Sequence, residues 1–262
     1  MSTYRGGRHE HGQNFLVDPA ITDRIVGLVA ATSGPIVEIG PGRGALTLRL
    51  QDLDRPLTAV EIDARHARWL RSRAEPSTSI VECDFLRWRI PGHPHVVVGN
   101  LPFHQTTAML RKLLHAPQWT HAVLLVQWEV ARRRAGVGGA TMMTAQWWPW
   151  FEFGLQCRVP ADAFRPRPTV DGGLLAVTRR RDPLLPVRDR GRYQGFVSAV
   201  FTGRGRGLAA MVSGVCDRRT RRAVVAWLHR EGIEGALPRD LTAAQWVRLF
   251  RVAHTFAKVP SR

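Results

Sequence analysis

Residues 35–45 read Pro-Ile-Val-Glu-Ile-Gly-Pro-Gly-Arg-Gly-Ala, and the reading of this stretch decides the fold. Ile36 to Ile39 has the composition of a short buried strand, glycines at 40, 42 and 44 form a turn, and Ala45 to Leu50 continues as a helix. Strand, glycine turn and helix build a nucleotide crevice in an open α/β sheet. The crevice lies beyond the carboxyl end of the strand, where the missing Cβ atoms let backbone approach ligand. The spacing argues against a pyrophosphate. A dinucleotide fingerprint sets its third glycine three residues after its second, whereas Gly42 and Gly44 are two apart and a carboxylate, Glu38, precedes the turn.

Outward from this turn, Leu57 to Val60 reads as a second strand ending in Glu61. An acidic residue about twenty positions past such glycines, at a strand tip, can accept hydrogen bonds from both hydroxyls of an adenosine ribose; the bland alternative is a solvated glutamate. A third strand, Ile80 to Glu82, ends in Cys83-Asp84-Phe85. Asp84 there can take an adenine amine, with Phe85 or Ile62 flanking the ring, or can simply cap a helix. A fourth strand, His95 to Val98, runs into Gly99-Asn100-Leu101-Pro102-Phe103. An amide, a carbonyl whose successor nitrogen carries no hydrogen, and an aromatic ring thus sit side by side at a strand end.

A helix over Thr106 to Leu114 and a fifth strand over Ala122 to Val126 follow, then Gln127 to Arg132 and a glycine break at 136–139. The aromatic run Trp147 to Phe153 reads as core in preference to a base-stacking surface. Phe164 to Asp171 is a stiff extended loop, because Pro166 and Pro168 each remove a backbone donor. Gly172 to Thr178 closes the sheet as a strand. Upstream, residues 1–12 are polar and read as mobile, and Asp18-Pro19 opens a helix striped by Ile21, Ile25, Leu28 and Val29. Beyond Arg179-Arg180-Arg181, three helical patterns follow, with the cationic turn Gly203-Arg204-Gly205-Arg206-Gly207 between the first two. The expected division is a catalytic domain over 1–182 and a helical docking domain over 187–262.

The 262 residues are 44% hydrophobic, enough for a large core and a small second domain. The formal charge of +17 points to a polyanionic partner, nucleic acid above all, since a surface of that sign gains affinity by releasing counterions. Lysine occurs only at 112 and 258, and a taste for arginine explains that choice but not the excess of cations over anions. Cys83, Cys157 and Cys216 stand singly, so no disulfide frame and no zinc site is indicated. With no apolar leader and no run of apolar residues long enough to span a bilayer, a cytoplasmic protein without membrane or metal is expected.

Glu38-x-Gly40-x-Gly42-x-Gly44 resembles the motif of S-adenosylmethionine methyltransferases, and Asn100-Leu101-Pro102-Phe103 resembles the Asn/Asp-x-Pro-Tyr/Phe of adenine-N6 methyltransferases. Together with Gln13-Asn14-Phe15-Leu16, Glu61, Asp84, Phe164 to Asp171 and the helical tail, the chain resembles the ribosomal RNA adenine dimethyltransferase family. Gln127 to Arg132 and the tail place it nearer the erythromycin-resistance (Erm) branch than the small-subunit branch.

That resemblance implies an α/β, Rossmann-like methyltransferase sheet with a small helical C-terminal domain. It implies S-adenosylmethionine held by Asn14, Leu16, Gly40, Glu61, Asp84 and Asn100, and catalysis by Asn100, Leu101, Pro102 and Phe103. The two oxygens of Asn100 and Leu101 would take the N6 hydrogens, Phe103 would stack on the target base, and Phe164 would close its opposite face. Arg165, Arg167, Arg204 and Arg206 are expected phosphate contacts. The substrate implied is a flipped or unpaired adenine in 23S ribosomal RNA, modified by a monomer, with macrolide, lincosamide and streptogramin B resistance as the result. The small-subunit enzyme and a non-catalytic RNA-binding protein on the same scaffold are the alternatives.

Overall fold

The computed structural model describes residues 14–255, so Gln13 and the polar stretch before it lie outside the described residues. The chain begins with β1 (Phe15–Leu16) and α1 (Pro19–Ala30). Asp18 caps α1 by accepting from Ala20 N at 2.8 Å and Ile21 N at 3.2 Å, with Pro19 at the first helical position. Then come β2 (Ile36–Ile39), α2 (Thr47–Leu50), β3 (Leu57–Glu61), α3 (Ala64–Arg71), β4 (Thr78–Glu82) and β5 (His95–Asn100). α4 (Thr106–His115), β6 (Trp119–Gln127), α5 (Trp128–Arg134) and α6 (Met142–Trp147) lead into β7 (Phe151–Val159), β8 (Phe164–Arg165) and β9 (Gly172–Arg179).

Seven strands form one sheet in the order β4-β3-β2-β5-β6-β9-β7, parallel from β4 to β6, with β9 antiparallel to β6. The central strands β2 and β5 are buried along almost their whole length, as strands covered on both faces must be. Their aliphatic side chains each stabilise the fold by roughly 1.5–3 kcal/mol. From β2 the chain builds outward through β3 to β4, then returns to lay β5 on the other side of β2. The reversal makes the carboxyl ends of β2 and β5 the switch point of the sheet, where the crevice of such a fold opens. Gly99 sits opposite Ile39 in the register, and a Cβ on it would stand 2.6 Å from the Ile39 carbonyl oxygen. Only glycine allows β5 this close to β2.

β7 was not anticipated from the sequence. The proline loop does not enter the large sheet: its first two residues form β8 and pair antiparallel with β1, Phe15 opposite Arg165 and Leu16 opposite Phe164.

Two compact units divide the chain, one of residues 1–132 and 154–178, the other of 133–153 and 179–262. Residues 133–153, placed in the first domain by the sequence reading, thus group with the C-terminal helices. In this second unit α7 (Arg190–Phe201), α8 (Gly207–Ser213), α9 (Arg218–Glu231) and α10 (Ala243–Thr255) carry the apolar faces. Tyr193 is fully buried, donates its hydroxyl to the Ala145 carbonyl at 2.9 Å and meets the Trp150 and Phe250 rings edge to face at 5.7 and 5.3 Å. Trp147, Trp150 and Phe151 are buried there, so the aromatic run is core. No helix among the described residues is long and apolar enough to cross a membrane.

Candidate functional site

A cavity opens at the carboxyl ends of β2, β3 and β5, and the first unit supplies its whole lining. The six residues expected to hold the cofactor, Asn14, Leu16, Gly40, Glu61, Asp84 and Asn100, all face it. So do Leu101, Pro102 and Phe103, which continue from β5 as the strand breaks and α4 begins; Pro102 cannot donate, but its carbonyl accepts from Gln105 N at 2.9 Å.

Asn100 is oriented. Its Nδ2 donates to the Asn14 carbonyl at 2.7 Å, which commits the amide nitrogen and leaves the side-chain oxygen for a ligand. The Leu101 nitrogen is bonded to the Leu125 carbonyl at 2.9 Å, tying the motif to β6.

Glu61 is only 2% exposed and does more than the sequence suggested. One carboxylate oxygen accepts from Gly42 N at 2.8 Å and the other from Asp63 N at 2.8 Å, so this side chain pins the glycine turn to the tip of β3. Gly42 adopts φ +54°, and a Cβ there would meet the Phe15 ring at 2.9 Å. Each Glu61 oxygen keeps a lone pair, which suits two ribose hydroxyls. Asp84 lines the cavity, and one of its oxygens accepts from Leu86 N at 2.8 Å in a local turn; the residues that follow form a turn and not the helix that a capping role would need.

Glu38 is the member whose state was not legible. It is buried, accepts from the Thr47 hydroxyl at 2.7 Å, and its pKa is pushed up to about 8. Loss of hydration is the main cause, opposed by the Thr47 hydroxyl and reinforced by the neighbouring charge of Glu61. At neutral pH the acid is therefore largely protonated.

Phe164 does not form a second wall of the cavity: it is fully buried in the core of the first unit, where its ring stands edge to face with Phe103 at 6.3 Å and 74°. It backs the Phe103 ring and pairs with Leu16 in the two-stranded sheet. Arg165 and Arg167 are exposed, but Arg165 donates to the Asp162 and Phe164 carbonyls and Arg167 pairs with Asp162 at 3.0 Å. Arg204 and Arg206 are exposed in the turn before α8, in the second unit.

The donor set fits S-adenosylmethionine. Two carboxylates, Glu61 and Asp84, line the cavity beside the protonated Glu38, suiting a sulfonium and an amine, and no lysine among the described residues joins them. The single arginine, Arg43, lies over the Phe15 ring at 4.7 Å. A model of the ribosomal RNA adenine dimethylase family matches residues 5–254. The chain belongs to this family. It is an S-adenosylmethionine-dependent rRNA adenine-N6 methyltransferase, and its relatives place it in the Erm branch. An rRNA adenine N-6-methyltransferase of Corynebacterium diphtheriae is 57% identical over 213 residues, covering 81% of this chain and 84% of the relative. The mycinamicin-resistance protein MyrB of Micromonospora griseorubida is 50% identical, covering 94% of this chain and 79% of its own. The crystal structure of the 23S rRNA methyltransferase ErmE superposes with a TM-score of 0.84 at 35% identity, over 92% of this chain and 99% of that one.

Proposed function

We propose that the protein methylates the N6 amine of one adenine in large-subunit (23S) ribosomal RNA, and that this modification confers macrolide, lincosamide and streptogramin B resistance. The observation that carries the reading is the anchoring of Asn100, whose Nδ2 donates to the Asn14 carbonyl and which lines the cavity beside Leu101, so that its side-chain oxygen is the group left to accept. An adenine amine is a poor nucleophile because its lone pair is delocalised into the ring. Two acceptors, the Asn100 side-chain oxygen and the Leu101 carbonyl, take its two hydrogens, turn the nitrogen pyramidal and aim the freed lone pair.

S-adenosylmethionine, held by Glu61, Asp84, Gly40, Asn14 and Leu16, supplies an electrophilic methyl group. No strong base is required, since the methylated amine is acidic and loses its proton readily. Catalysis is positioning and electrostatics. Phe103 stacks on the base, worth roughly 1–3 kcal/mol, and Phe164 keeps that ring in place from behind. A base so held has left its helix, so the target adenine is flipped or unpaired.

The second unit, with Arg204 and Arg206, together with Arg165 and Arg167 of the first, contacts phosphates. The protein acts as a monomer in the cytoplasm. The names of the relatives and of the ErmE structure support the large subunit as the target.

Mapping of reverse-transcriptase stops on both ribosomal RNAs, after incubation with protein and S-adenosylmethionine, is expected to give one new stop in free large-subunit RNA. Stops confined to small-subunit RNA would reject the reading. Asn100→Ala should abolish transfer while RNA retention persists, and wild-type rates from that variant would remove Asn100 from the mechanism.

A further inference from the structure

α4 starts at the end of the Asn100 to Phe103 motif, where the Pro102 carbonyl accepts from Gln105 N and from the Thr106 hydroxyl at 3.2 Å. One face of the helix carries Met109, which lines the cavity, and, three residues on, Lys112. Lys112 is half-buried, and its ammonium donates to two main-chain carbonyls, Phe85 at 2.6 Å and Trp88 at 2.5 Å, while lying 5.1 Å from the centre of the Phe85 ring. These carbonyls belong to the tight turn after β4, in which Arg87 N and Trp88 N both bond to the Asp84 carbonyl at 2.8 and 2.9 Å. Burial lowers the lysine's pKa while the Asp84 carboxylate pulls it back up, so the ammonium is also the local counter-charge of the turn.

No sequence motif signals this residue. A lysine spending its hydrogen bonds on backbone carbonyls, half out of water, is costly unless the geometry it fixes matters. What it fixes is the position of Asp84 and Phe85 relative to α4. We infer that Lys112 is a positioning residue for the cofactor, a strut that holds the adenine-facing turn Asp84–Trp88 at a set distance from the helix that ends the target-amine motif. The inference rests on the assignment of Asp84 and Phe85 to the cofactor's adenine. Lys112 is not among the residues that line the cavity, so its loss should weaken cofactor binding through the turn and leave RNA recognition alone.

The test is Lys112→Met, which keeps the length of the chain and removes the donors. Calorimetry with S-adenosylhomocysteine and no RNA should show affinity falling roughly tenfold, the scale of one lost charge-assisted hydrogen bond. The KM for S-adenosylmethionine should rise in step, kcat at saturating cofactor should stay within about twofold, and filter binding of RNA should not change. In the ligand-free protein, amide exchange at Leu86, Arg87 and Trp88 should accelerate while the β2 and β5 amides keep their protection. Lys112→Gln reaches only one carbonyl and should show the same pattern at smaller amplitude, deciding the question where the methionine variant does not fold. Lys112→Arg should recover most of the affinity. Unchanged adenosylhomocysteine affinity in a folded variant, or an equal loss of RNA affinity, would overturn the assignment. Because the affinity measurement contains no RNA, it stands or falls apart from the large-subunit reading, which fails instead if wild-type protein binds the cofactor but leaves that RNA unmodified.

Discussion

Replacing Glu38 with glutamine should make the protein more stable at high pH and nearly unchanged at low pH. The folded-state pKa of Glu38, about 8, stands above its ordinary value of 4.5 because burial strips the carboxylate of water. The folded state therefore holds its proton longer than the unfolded chain does. The stability this confers is complete below pH 4.5 and is lost as pH rises towards about 8. Within that window each pH unit removes roughly 1 kcal/mol or slightly more, so wild type loses about 2–3 kcal/mol between pH 5.5 and 7.5 that Glu38→Gln does not. Glutamine copies the protonated acid, offering an oxygen to the Thr47 hydroxyl and carrying no charge. Urea unfolding of both proteins at pH 5.5, 6.5 and 7.5 measures the effect. Titration of groups that do not couple to Glu38 cancels in the difference, and the urea slopes should match. A difference that stays constant to within about 0.5 kcal/mol across the range would refute a buried, proton-holding Glu38.

Two further substitutions probe the site's frame and its face. Gly99→Ala pushes a methyl against the Ile39 carbonyl from a distance of 2.6 Å, so β5 must part from β2 where the cavity opens; a loss of about 1–3 kcal/mol by thermal unfolding, with a larger loss of activity, is expected. Phe103→Tyr keeps the ring and should keep the activity, whereas Phe103→Ala should raise the KM for RNA by the roughly 1–3 kcal/mol of a lost stack and leave adenosylhomocysteine affinity intact by calorimetry.

The central strands were legible because each announces itself twice, in a buried aliphatic run and in an unusual residue at its carboxyl end. Gly40, Glu61 and Asn100 end three such runs, Asp84 follows the edge strand β4, and all four converge on one cavity. β7 carries a signal too, since Phe151, Phe153, Leu155, Cys157 and Val159 alternate with Glu152, Gly154, Gln156 and Arg158 in a period of two that the tryptophans before it mask.

Other features have no local signature. The two backbone donors on Glu61 come from the glycine turn and from Asp63, and the first of these is a meeting of segments nineteen residues apart. The protonation of Glu38 depends on how completely the sheet covers it, and the inward turn of Phe164 on pairing with Leu16. Such facts are set by tertiary packing, which one-dimensional patterns do not carry.

The bond from Asn100 to position 14 is made to main chain, and that has an evolutionary reading. Substitution can change every atom of the residue-14 side chain without deleting the oxygen that steers the amide. What selection has to preserve near the start of the chain is a route, guided by two rungs of pairing with a segment some 150 residues downstream. A change of side chain at position 14 leaves that acceptor in place, whereas a displaced backbone would spin the amide and present a donor where the target needs an acceptor.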